Sequence, residues 1–238
     1  MDITNKVALV TGASKGIGRA VAIALAQRKA HVVICARDKK RLDDTGRIIE
    51  ALGSKVCVVA SDLRQKESID HVVQKAVDTF GTIDILINNA GLGYFGKISE
   101  LTVEQWDEMF TLNVRSVFLL TQQALPYLRN QGESVILNVV SLAGKNAFVG
   151  GTGYAATKHA LLGFSRCLML EERANGVRVM AICPGSVNTP FFDDHADRES
   201  IKQKKILTAD DIAVTIVNMI TMPQHALISE VDIRPTNP

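Results

Sequence analysis

Thr11-Gly12-Ala13-Ser14-Lys15-Gly16-Ile17-Gly18 is the stretch that decides the fold. It joins an apolar strand-like run, Val7-Ala8-Leu9-Val10, to a helical pattern from Ile17 to Arg28. Three glycines at a strand-to-helix turn let the backbone approach a pyrophosphate closely. The helix behind them offers free N–H groups and the positive end of its dipole. The spacing is G-x3-G-x-G rather than the commoner G-x-G-x-x-G. Placed after the first strand of an alternating chain, it marks the nucleotide end of an α/β fold.

The strand–helix rhythm continues from there to the end of the chain. His31 to Ala36 reads as the second strand, and a helix follows Asp38, its N-cap, and stops at Gly53. Val56 to Val59 is the third strand, Lys66 to Phe80 a helix ended by Gly81, and Ile83 to Ile87 the fourth strand. Thr102 and Gln105 form a capping box that opens one long helix toward Arg129. Then come a strand (Val135 to Val140), a helix (Thr152 to Ala174) and a strand (Val177 to Cys183) halted by Pro184-Gly185. Thr208-Ala209-Asp210-Asp211 opens a further helix, and Ile228 to Ile233 is the last strand. Seven strands with helical crossovers imply a parallel sheet covered by helices on both faces. Residues 1–238 read as a single domain, with 186–207, polar and interrupted, as its variable substrate loop.

Composition narrows the function classes. The 238 residues are 47% hydrophobic and only 5% aromatic, a balance that suits strands buried on both sides. The net charge of +2 is dispersed and mixed in sign, which argues against nucleic acid. Cys35, Cys57, Cys167 and Cys183 form no C-x-x-C pair and read as buried inert thiols. That fits a reducing, cytoplasmic setting. No apolar run approaches the ~18 residues of a membrane span. Met1-Asp2-Ile3-Thr4-Asn5 lacks a signal-peptide pattern. The histidines show no metal-ligand spacing, so no metal is expected.

The chemistry points to Tyr154-Ala155-Ala156-Thr157-Lys158. On a helix, Tyr154 and Lys158 share one face, a turn apart. A free phenol has a pKa of about 10. A nearby ammonium lowers it toward the range useful in general acid–base catalysis. His159 is adjacent to Lys158 but points about 100° away, and reads as a surface or packed histidine. At the other end, the second strand finishes Cys35-Ala36-Arg37, with no carboxylate before Asp38. Arg37 and Lys15 suit a ribose 2′-phosphate, which favours NADP(H) over NAD. Lys39, Lys40 and Arg41 read as a solvated face.

Taken together, these segments resemble the short-chain dehydrogenase/reductase family over nearly the whole sequence. The match comprises Thr11-Gly12-x3-Gly16-Ile17-Gly18, Asp62-Leu63, Asn88-Asn89-Ala90-Gly91, Asn113, Ser141, Tyr154-x3-Lys158 and Pro184-Gly185-x3-Thr189, in family order and spacing. The resemblance implies a Rossmann-type doubly wound sheet of order 3-2-1-4-5-6-7. It also implies a catalytic set. Tyr154 would be the general acid in carbonyl reduction, and Ser141 would hydrogen-bond the substrate oxygen. Lys158 would lower the tyrosine pKa and hold the nicotinamide ribose. Asn113 would anchor a water linking Lys158 to solvent. Gly12, Ser14, Lys15, Gly16, Ile17 and Gly18 would cradle the pyrophosphate. Asp62 and Leu63 would meet the adenine, and Asn89, Ala90 and Gly91 the adenosine-ribose side. Pro184, Gly185, Val187 and Thr189 would flank the nicotinamide, the last two holding its carboxamide.

Leu92 to Phe95, Leu142 to Gly151 and Phe191-Phe192 would build an apolar, aromatic substrate rim. In pattern the chain is similar to 3-oxoacyl-acyl-carrier-protein reductases, with two departures. Asn175-Gly176-Val177 stands where they often carry an arginine. The ending Val231-Asp232-Ile233-Arg234-Pro235 replaces their V-D-G-G. The ending looks more like reductases of small aldehydes, hydroxy acids or pterins. The helices carrying Thr102 and Tyr154 resemble the pair that joins family subunits, with Ala155, Ala156, Leu161, Leu162 and Phe164 suited to close contact, so a dimer or tetramer is expected. Two rival readings stand beside the reductase. One is a non-catalytic NADP sensor or scaffold. The other is a nucleic-acid binder using Lys39-Lys40-Arg41 and Lys202-x-Lys204-Lys205, opposed by the nearby Asp38, Asp43, Asp44 and Glu199.

Overall fold

The computed structural model describes residues 1–192 and 206–236. In chain order the strands are β1 (Val7–Thr11), β2 (His31–Ala36), β3 (Val56–Ala60), β4 (Ile85–Asn88), β5 (Ser134–Val139), β6 (Val177–Pro184), β7 (Val187–Asn188), β8 (Leu207–Thr208) and β9 (Glu230–Ile233). Seven of them form one sheet in the order β3-β2-β1-β4-β5-β6-β9, every neighbouring pair parallel. This is the expected order; β7 and β8 are additional, pairing only with each other.

The helices are α1 (Gly16–Gln27), α2 (Lys39–Ala51), α3 (Lys66–Phe80), α4 (Val103–Phe110), α5 (Ser116–Arg129), α6 (Thr152–Glu172) and α7 (Ala209–Thr221). Strand alternation divides the core into two layers. Ala8 and Val10 of β1 face Val21 and Leu25 of α1, Leu42 of α2 and Ile212 of α7. Val7 and Leu9 turn the other way, toward Ile69 of α3, Leu120 of α5 and Leu168 of α6. Each such aliphatic side chain, fully buried, contributes about 1.5–3 kcal/mol.

Three expectations need correcting. The long helix from Thr102 keeps its capping box, but a π-helical turn at Thr111–Arg115 interrupts it between α4 and α5. Leu112 and Asn113 are buried there; such turns are frequent at functional sites. The cysteines are not uniformly buried. Cys35 and Cys183 are, but Cys57 lies on the edge strand β3 and is half-buried, and Cys167 is exposed on α6. Leu161 and Leu162, assigned to a subunit contact, pack inside this chain against Val117, Val140, Ala181 and Cys183.

Candidate active site

All the turns of interest lie at the carboxyl ends of the strands, where an open α/β sheet binds its ligands. Gly12 and Gly16 in the first turn have φ of +66° and +57°, which favours glycine. A Cβ on Gly12 would come within 2.8 Å of Asn89 Nδ2, and one on Gly18 would collide with the Gly12 carbonyl. Asn89 braces the turn by donating to Thr11 O at 2.8 Å, and its backbone N–H and that of Ala90 both donate to Thr11 Oγ1 at 2.9 Å. Behind the turn, α1 has no capping side chain and no acidic residue in its first turn. By contrast α2, α4 and α7 are capped by Asp38, Thr102 and Thr208. The leading N–H groups and dipole of α1 are thus left for an anion, and a glycine cradle stands against them. These residues fit a dinucleotide.

The ends of β2 and β3 carry more charge than the sequence indicated. Arg37 is exposed at the end of β2, and Asp38 accepts from Arg41 N as the cap of α2. Lys15 is exposed and reaches the Pro190 carbonyl at 3.5 Å. Asp62 is gripped by Arg64, whose Nε lies 3.0 Å from both carboxylate oxygens. That hydrogen-bonded guanidinium, with Arg37 beyond it, holds the Asp62 carboxyl below the usual range. Arg64 also pairs with Glu108. Sequence reasoning did not single out Arg64 or Glu108, because their partners are distant along the chain. Leu63 is buried among the core residues.

At the reacting end, β5 delivers Ser141 and α6 delivers Tyr154 and Lys158. Ser141 Oγ accepts from Ala143 N at 3.1 Å, and its hydroxyl hydrogen-bonds the Tyr154 phenol. Lys158 Nζ donates to Val139 O at 3.1 Å and lies 5.7 Å from the centroid of the Tyr154 ring. The expected lowering of the tyrosine pKa does not occur. Burial pushes Tyr154 up to about 12, opposed only by the Ser141 hydrogen bond, while burial pushes Lys158 down to about 8. Burial dominates for both groups.

Asn113 has partners that the sequence did not reveal. Its Nδ2 donates to Leu92 O at 2.8 Å and Thr157 Oγ1 at 3.0 Å, and its Oδ1 accepts from Leu92 N at 2.9 Å. The carboxamide is mainly a brace between the Leu92 loop and α6. One lone pair of Oδ1 remains for a water. A Cβ at Gly91 would stand 3.2 Å from that oxygen and 3.7 Å from Lys158 Nζ, so glycine keeps the space between them open. His159 is exposed and contacts Ala155 O through Nδ1, away from this group.

Aromatic rings cover the phenol. Phe95 lies 5.2 Å and Phe191 5.8 Å from Tyr154, centroid to centroid, and Phe148 lies 6.0 Å from Phe95. Tyr94 packs in the same cluster, with its hydroxyl turned to donate to Glu108 Oε2 at 2.6 Å. Val187 is buried in β7, and Thr189 lies against Gly16. Pro184 ends β6, and Gly185 N donates to Ile233 O at 2.8 Å. Of the 186–207 loop region, residues 193–205 lie outside the described residues, and with them Glu199, Lys202, Lys204 and Lys205. Among the described residues, no cluster of His, Cys, Asp and Glu could hold a metal ion, and no helix is long and apolar enough to cross a membrane.

Comparison with known proteins matches this architecture. The short chain dehydrogenase family model covers residues 6–200. An uncharacterised oxidoreductase of Staphylococcus epidermidis is 37% identical over 233 residues, 98% of each chain. A metagenomic short-chain oxidoreductase solved with NADP is 33% identical, covers 100% of both chains and superposes with a TM-score of 0.87. A 3-ketoacyl-(acyl-carrier-protein) reductase from Brucella melitensis, solved with NADH, is 31% identical, covers 97% of both chains and gives a TM-score of 0.88. With its doubly wound sheet, its glycine cradle and Ser141 beside the buried Tyr154 and Lys158, the chain belongs to the short-chain dehydrogenase/reductase family of oxidoreductases.

Proposed function

We propose that this protein is an NADP(H)-dependent reductase of apolar ketones or 3-oxoacyl-type carbonyls, also able to run the reverse alcohol oxidation. The single observation that carries the reading is the buried Tyr154 phenol, hydrogen-bonded to Ser141 and flanked by the Lys158 ammonium. The nicotinamide, when bound, supplies or accepts the hydride. The chain supplies the rest. Gly12, Ser14, Lys15, Gly16, Ile17 and Gly18 hold the pyrophosphate. Asp62, Leu63, Asn89, Ala90 and Gly91 line the adenosine, and Pro184, Gly185, Val187 and Thr189 the nicotinamide. Arg37, with Lys15, takes the 2′-phosphate, which sets NADP over NAD.

Ser141 and Tyr154 hydrogen-bond the carbonyl oxygen and polarise it. The proton moves from Tyr154 Oη to that oxygen as charge develops there. A phenol whose pKa lies near 12 rests protonated at neutral pH, as an acid must. Lys158 stabilises the phenolate left behind and holds the ribose hydroxyls, and Asn113 orients a water beside it. The rings of Phe95, Phe148 and Phe191 exclude bulk water and favour an apolar substrate.

Self-association belongs to the same reading. A groove of about 510 Å³ between Asp107, Phe110, Thr111, Val114, Arg115 and Phe118 leaves apolar surface on α4 and α5 for a second copy. An NADPH-oxidation screen over β-ketoacyl thioesters, aromatic ketones, aldehydes and quinones tests the proposal. Turnover confined to apolar carbonyls supports it; no turnover with any carbonyl refutes it.

A further inference from the structure

The segment Leu92–Phe95 forms one wall of the site, and the α4–α5 region holds it at two points. Asn113 grips Leu92 through both its backbone N–H and its carbonyl. Two residues on, Tyr94 is held twice by α4. Its hydroxyl donates to Glu108 Oε2 at 2.6 Å, and its backbone N–H points at Met109 Sδ at 3.3 Å. Glu108 is itself fixed by Arg64, and Arg64 by Asp62. Phe95, the next residue, lies tilted on the Tyr154 ring with centroids 5.2 Å apart. It folds back over Gly93, where a Cβ would come within 2.8 Å of the Phe95 ring and 3.0 Å of Tyr154 Cδ2.

We propose that Glu108 is a positioning residue for the substrate wall. It fixes Tyr94, Tyr94 fixes the backbone leading into Phe95, and Phe95 sets the space above the Tyr154 phenol. Arg64 is the counter-ion that keeps Glu108 in place, and it ties this wall to Asp62 after β3. The inference rests on the reading of Tyr154 as the proton donor. The geometry favours it because the tether is charge-assisted and half-buried, where such a bond is stronger than a neutral one. Neither Glu108 nor Tyr94 touches the reacting atoms.

Glu108→Gln and Tyr94→Phe test it. Both keep the size of the side chain, and Glu108→Gln leaves Arg64 paired with Asp62. The chain has three tyrosines, Tyr94, Tyr127 and Tyr154, so ring-labelled tyrosine NMR gives three signals that single Tyr→Phe variants assign. Each tether variant is expected to move the Tyr154 signal as the Phe95 ring shifts, and the double variant no further than either single one. KM for the carbonyl is expected to rise about three- to tenfold, the scale of one hydrogen bond, with kcat within about twofold and NADPH affinity unchanged. A Tyr154 signal that stays in place in both variants overturns the proposal, as does a fall in kcat at constant KM. The NMR arm needs no turnover. A wild-type protein inactive on every carbonyl therefore sinks the reductase reading and leaves the wall to be judged by the Tyr154 signal.

Discussion

Lys158 Nζ stands 5.7 Å from the centroid of the Tyr154 ring, and both side chains are buried. The two groups therefore titrate against their surroundings. The phenol resists ionising, and the ammonium gives up its proton near pH 8. At neutral pH the site holds a proton on each, which is the form that donates to a carbonyl oxygen.

Tyr154→Phe removes the proposed proton donor and leaves the ring packing with Phe95 and Phe191. Turnover should fall by a factor on the order of 10² to 10⁴, the usual worth of a positioned acid. Cofactor binding, read by NADPH fluorescence, should survive. Retained NADPH oxidation would remove Tyr154 from the role proposed for it.

Lys158→Met should abolish turnover and stabilise the fold at pH 7. The folded pKa of about 8 lies below the ordinary value of 10.5. Between those values the unfolded chain binds more protons, so this group's contribution to stability rises with pH across that window. Below pH 8 the full penalty is present, on the order of 3 kcal/mol. Methionine forfeits the bond to Val139 O, so the net gain should be about 1–2 kcal/mol, or ~3–6 °C in Tm. The gain should shrink as pH rises from 8 toward 10.5. A lower Tm at pH 7, measured calorimetrically, would contradict it.

The proposed preference for NADP(H) rests on Arg37. NADPH should bind at least roughly tenfold tighter than NADH, the scale of a charge-assisted phosphate contact. Arg37→Asp should reverse or erase that ratio. Equal affinities in the wild type, or no change in the variant, would move the 2′-phosphate site elsewhere.

Gly18→Ala probes the cradle. The added Cβ would press on Asn89 Nδ2 and on the Gly12 carbonyl, so the turn must shift. We expect a destabilisation of about 1–3 kcal/mol, typical of overpacking, and loss of cofactor binding. Gly163→Ala, on α6 with nothing within 4 Å of its Cβ, is the matched control and should bind cofactor as the wild type does. Equal binding by the two variants would argue against a tight approach at Gly18.

Much of this was legible in the sequence because it is local. The glycine turn, the capping box of Thr102 and Gln105 and the cap Asp38 are short patterns with a direct physical cause, and the alternation of strands and helices followed from them. What escaped was of three kinds. The π turn around Asn113 shifts one hydrogen-bond register without changing composition. The β7–β8 pairing is two residues long, too short for any periodicity. The chain from Asp62 through Arg64 and Glu108 to Tyr94 joins residues as far as 44 positions apart. The Tyr154 pKa went the wrong way for a related reason: spacing reveals a neighbouring charge, and only the folded core reveals how dry the phenol is.

The pairing of β7 with β8 has a practical consequence. Val187 meets Leu207 and Asn188 meets Thr208, so the chain leaves and re-enters the body of the protein at one point. β8 runs directly into α7, and Thr189, next after β7, lies against Gly16 of the glycine cradle. A stretch of another length can be spliced in between β7 and β8 with little entropic penalty, because closure cost grows only slowly with loop length. That makes 193–206 the stretch to exchange when this protein is to be re-aimed at a different molecule, because Thr189 and Phe191 just before it already lie against Gly16 and the Tyr154 ring and should stay.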